Sequence, residues 1–121
     1  MNRIDANVIL RYLLDDHEEL SSKSVAIIDY EPVHVSVEVI CEVVYVLSGV
    51  YEVTREELGS LLLSFFDLPN VSVDDLAILK VALPVFAEKK IDFVDALLYS
   101  HHVVQGDRVI TFDKRLAKMM K

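Results

Sequence analysis

The sequence predicts an α/β fold: a parallel sheet of short strands with helices on both faces. Two observations carry this. Short β-branched runs, Val33–Val35, Val71–Val73 and Arg108–Phe112, alternate with longer stretches whose apolar residues recur at helical spacing. Pro and Gly are scarce, three of each, and no linker or repeat interrupts the 121 residues. One domain spanning 1–121 is therefore expected.

Taken in order, Asn2 to Asp5 reads as a very short strand, and a helix begins near Ala6, with Val8, Ile9, Tyr12 and Leu13 on one side. Glu18 to Asp29 is a second helix, broken by Pro32, and Val33–Val35 the next strand. Ser36 to Val50 begins with strand-like alternation, but its apolar run is too long for one strand. It reads as a buried helix with Ser36 as N-cap and Gly49 near its end. Thr54 with Glu57 forms a capping box for a helix through Phe66, and Pro69 precedes the strand Val71–Val73. Asp74 to Lys90 is a helix containing Pro84, with a kink expected there. Asp92 opens a helix that stops at Gly106, Arg108–Phe112 is the last strand, and Asp113 to Met120 the last helix.

Composition bounds the function. Hydrophobic residues make up 53% and charged residues 26%, which predicts a folded core, with apolar surface to spare for a homo-oligomer or partner. No apolar run approaches the roughly 20 residues needed to span a bilayer. Asp5 and Arg11 interrupt the first apolar stretch, so no signal peptide is expected. A lone cysteine, Cys41, forms no internal disulfide, fits a cytoplasmic setting and reads as a core residue rather than a nucleophile. The net charge of −8 argues against a generic nucleic-acid binder with a basic face.

Acids nevertheless fall where chemistry is done. In a parallel sheet, ligands gather at the carboxyl ends of the strands. Asp5 closes the first predicted strand and Asp113 the last. Glu42 lies inside a hydrophobic run, and Asp95 lies among apolar neighbours in Asp92-Phe93-Val94-Asp95-Ala96-Leu97-Leu98. Burying one unpaired carboxylate is costly, and a cation taking oxygen ligands relieves that cost. Two such metals can activate water and stabilise the leaving oxygen of a phosphodiester. Each acid also has a plainer reading. Asp5 and Asp113 read as helix N-caps. Asp92 reads as a cap with Asp95 at the third helical position, and is kept as an additional site candidate. Glu42 resists such a reading, because glutamates are almost never fully buried alone. Glu38 shares its helical face but lies near the helix start, where a solvated acid is ordinary.

The same residues carry a family resemblance. Ile4-Asp5-Ala6-Asn7-Val8-Ile9-Leu10-Arg11-Tyr12-Leu13 resembles the opening of PIN-domain nucleases. Ser36 followed by Glu42 matches that family's buried glutamate, Asp92-Phe93-Val94-Asp95 is similar to its third acidic motif, and Thr111-Phe112-Asp113-Lys114 to its last. The motifs run through the whole chain in the right order, and the nearest resemblance is to VapC-type toxins of toxin–antitoxin pairs. The resemblance implies the PIN-like three-layer fold, a parallel sheet of four or five strands with helices on both faces, and Mg²⁺ or Mn²⁺ held by Asp5, Glu42, Asp95 and Asp113. It places Asn7 and Thr111 behind them, orienting ligands or water. It further implies metal-dependent endonucleolytic cleavage of RNA, a homodimer and a small antitoxin protein that blocks the site.

Arg11, Lys114 and Arg115 flank these motifs and are candidates for touching RNA phosphates, with ordinary surface charge as the alternative. Adjacent His101 and His102 cannot both face one metal from a helix and read as helix surface. The Leu61-Leu62-Leu63 and Phe65-Phe66 cluster reads as core or dimer contact, and a homodimer is expected through the helices between Thr54 and Lys90. Two other functions remain open. A catalytically inactive PIN-like RNA-binding or scaffold module would keep the fold and drop the turnover. An Mg²⁺-binding phospho-acceptor domain would need paired acids after the first strand, where Asp5 stands single, and an acid after Val33–Val35, where Ser36 stands.

Overall fold

A computed structural model describes all residues, Met1–Lys121. Its elements are β1 (Asn2–Arg3), α1 (Ala6–Leu14), α2 (Glu18–Tyr30), β2 (Val33–Val35), α3 (Val37–Gly49), α4 (Arg55–Phe66), β3 (Val71–Val73), α5 (Leu76–Lys89), α6 (Phe93–Gln105) and α7 (Lys114–Met119). They form two compact units, Met1–Asp74 and Asp75–Lys121.

The first unit holds the sheet, in the order β1-β2-β3 with every pairing parallel. Val33 pairs with Val71 and Val35 with Val73, while His34 stands between Arg3 and Ser72. Strand side chains alternate between faces. Val33, Val35 and Val71 are accordingly buried, whereas Arg3 and Ser72 are exposed and His34 is half-buried. α1 packs on α2 and α3, α3 on α4, and α4 on β3. The buried side of α3 carries Ile40, Val43, Val44 and Leu47, one helical stripe. Tyr12 meets Phe65 edge-on with ring centroids 5.7 Å apart.

The second unit packs α5 along α6, and α6 meets α7. Phe86 and Phe93 stack edge-on at 5.6 Å. α5 runs continuously through Pro84, and α6 ends on Gly106, whose φ of 72° is left-handed.

Two expectations are corrected. The sheet has three strands rather than four or five, because Arg108–Phe112 forms no strand. β-propensity is realised only where a neighbouring strand supplies a ladder and burial. Here Ile110 is 79% exposed and Phe112 fully so. The first strand also stops at Arg3, leaving Asp5 outside it. No helix is long and apolar enough to cross a membrane.

Candidate metal and RNA site

In the first unit, Asp5 is the N-cap of α1. Its backbone is extended, and its Oδ1 accepts the Val8 N–H at 3.2 Å. The carboxylate borders a cleft of about 560 Å³ whose lining includes Arg3, Val8, Ile27 and Glu31. Asn7 is exposed in the first turn of α1. Ser36 occupies the N-cap position of α3 without a side-chain capping bond. Glu42 is not buried. It is exposed, together with Glu38 and Tyr45, on the polar side of α3. The apolar run around it conceals this, because its neighbours Val43 and Val44 turn to the core while Glu42 turns away.

Arg11 is engaged rather than free. Its Nη1 lies 2.7 Å from Asp16 Oδ1, and its Nη2 donates to the Tyr51 hydroxyl at 3.0 Å. These two partners hold the guanidinium pKa above its ordinary value, Tyr51 foremost.

In the second unit, two acids bear on a third. Asp95, in the first turn of α6, is half-buried. Burial pushes its carboxyl above the usual range, and the charges of Asp113 and then Asp92 push it further. Asp92 occupies the N-cap position of α6, yet its side chain makes no capping bond. Asp113 caps α7, its Oδ1 accepting the Leu116 N–H at 2.9 Å, and its own N–H donates to Thr111 Oγ1 at 3.0 Å. Thr111 thus fixes the backbone at Asp113. Lys114 is exposed and makes no ion pair, whereas Arg115 donates to the carbonyls of Lys89 and Lys90 at the end of α5.

Neither unit alone gathers three His, Cys, Asp or Glu side chains at one metal-holding point. The donor chemistry does fit a hard cation. The candidates are all carboxylates, and around Asp95 they concentrate negative charge that a cation would neutralise.

The PIN domain family model matches residues 4–121. The chain belongs to the PIN domain family. No curated protein and no solved structure matches it. PIN domains are generally metal-dependent nucleases, typically using divalent ions. That supports a nuclease-type activity and agrees with the carboxylate chemistry of Asp95, Asp113 and Asp92.

One constellation escaped the sequence reading. His34 shares hydrogen bonds with Ser72 Oγ at 2.8 Å through Nδ1 and with Asp74 Oδ1 at 2.7 Å through Nε2. It ties β2 to the end of β3. Only the strand register reveals it, since His34 and Asp74 are 40 residues apart.

Proposed function

We propose that this PIN domain, acting as one domain over 1–121, is a cytoplasmic Mg²⁺- or Mn²⁺-dependent endoribonuclease, the toxin of a toxin–antitoxin pair. The observation that carries the reading is the family match over residues 4–121, and the sequence around Asp5, Glu42, Asp95 and Asp113 resembles the family's acidic motifs. Those four carboxylates are the proposed metal ligands, with Asp92 as an additional one. Asn7 orients ligands or water, and Thr111 holds the loop that presents Asp113. Bound Mg²⁺ or Mn²⁺ supplies the Lewis acidity for phosphodiester hydrolysis. The exposed cation Lys114 contacts RNA phosphate, whereas Arg11 and Arg115 serve structural bonds first. A homodimer and a small antitoxin complete the assembly.

The test is an RNA panel that includes whole tRNA, incubated with Mg²⁺ or Mn²⁺, with and without chelator. Cleavage by the wild type, abolished by chelator and absent from Asp95→Asn, is expected. Equal cleavage by both proteins would expose a contaminant. No cleavage by either would leave an inactive RNA-binding module. The toxin role predicts growth arrest on induction, relieved by a small protein encoded beside it.

A further inference from the structure

The charge of the chain is unevenly divided. Met1–Asp74 holds 14 acids and 4 bases, net −10, whereas Asp75–Lys121 holds 6 acids and 8 bases, net +2. A polyanion is therefore drawn to the second unit. Within it, the segment before Asp113 has an unusual surface. Burial alternates along it: Arg108, Ile110 and Phe112 are exposed, while Val109 and Thr111 are half-buried. Ile110 is 79% exposed, and Phe112 is completely exposed at 102%, outside every ring contact of the protein. Arg108, four residues before Phe112, and Lys114, two residues after it, make no salt bridge, whereas Lys23 is held by Glu19 and Arg11 by Asp16. The inner side of the segment borders a cleft of about 440 Å³ whose lining includes His102, Arg108, Ile110 and Met120.

A single exposed apolar residue is ordinary. An aromatic face flanked by two unpaired cations is the composition that binds single-stranded nucleic acid: rings stack on bases, and cations track the phosphates. We propose that Phe112 is a stacking platform for an unpaired base of the RNA, flanked by Arg108 and Lys114. This rests on the ribonuclease reading and deepens it. The platform stands one residue from Asp113, so a stacked base positions its neighbouring phosphate at the carboxylates. A base inside a duplex offers no free face for the ring. The substrate is therefore RNA that is unpaired at the cleavage point.

The protein has no tryptophan, so Phe112→Trp places a single indole at the platform. In chelator, single-stranded oligouridylate should quench that indole, and a fully paired RNA duplex should not. By fluorescence anisotropy, Phe112→Ala should bind oligouridylate about tenfold more weakly than wild type, and Phe112→Tyr should bind like wild type. Phe112→Ala should melt with the wild type, because the ring touches nothing. Binding by Phe112→Ala within twofold of wild type overturns the platform. So does indole emission that changes with protein concentration but not with RNA, which would mean that a second copy covers the ring. Cleavage measured in parallel separates the two readings. Chelator-sensitive cleavage with a KM unmoved by Phe112→Ala rejects the platform and keeps the nuclease. Ring-dependent binding without cleavage by the wild type keeps the platform and rejects the nuclease.

Discussion

Asp5 and Asp113 hold helix ends as well as being proposed metal ligands, so on that reading replacing them by alanine removes two things at once. Each carboxylate accepts an N–H of the first helical turn. Losing such a cap costs about 1 kcal/mol, whereas asparagine retains an acceptor oxygen. Urea titrations should show Asp5→Ala and Asp113→Ala destabilised by about that amount. Asp5→Asn and Asp113→Asn should be nearly unchanged in stability while losing cleavage. Equal stability of the alanine and asparagine variants would contradict the capping geometry. Asp95 makes a separate prediction. Its folded carboxyl titrates above the unfolded value of 3.8, so ionising it penalises the folded state. The penalty is absent below the unfolded value, grows as pH rises through the folded one, and is complete above it. In chelator at neutral pH, Asp95→Asn should melt at a higher temperature than the wild type. The gap should close as pH falls to about 4. A gap independent of pH would mean that packing, not charge, separates the two proteins.

At the scale of elements, the helices were legible because their signals are local. Thr54 accepts the Glu57 N–H at 3.2 Å as the capping pattern predicts, and the Ser36–Val50 ambiguity resolves to helix α3. The last strand was misread because a strand depends on a partner that sequence spacing does not supply. Val109 and Ile110 have strand propensity, but no ladder holds them. Glu42 was misread for a related reason. Uniform apolarity around it hid which face of α3 is solvated, although Glu38 four residues earlier marks that face. The stop of α6 was legible from Gly106 alone. Its backbone is left-handed, and a Cβ there would meet nothing within 4 Å, so substitution strains only the backbone. Gly106→Ala should therefore cost about 1 kcal/mol by denaturant titration, with no cavity or clash to add to it. A neutral result would mean that the α6 end refolds into another cap.

Across the whole molecule, the net charge of −8 hid the feature most relevant to RNA. The basic residues are concentrated toward the C-terminus, and summing the chain cancels them against the acids of the first unit. The family was legible for the opposite reason, since the patterns that carry the resemblance are short and local. Which of them meet is a matter of tertiary placement, and the effect of the Asp113 and Asp92 charges on Asp95 emerges only from the structure. On the ribonuclease reading, the uneven charge sets the salt dependence of RNA binding. Affinity for a single strand falls with log salt at a slope of about 0.7 per phosphate neutralised. Few cations are available, because Arg11, Lys23 and Arg115 are engaged within the protein. The slope in chelator should therefore be shallow for an RNA-binding protein. Lys114→Ala, which removes an exposed cation beside Asp113, should reduce it by about 0.7. Lys23→Ala, whose charge faces Glu19 in the acidic unit, should leave it unchanged. Anisotropy titrations with oligouridylate at four salt concentrations measure these slopes. Equal slopes for wild type and Lys114→Ala would move the phosphate contacts away from the end of the chain, and a slope lowered by Lys23→Ala would place them on the acidic unit.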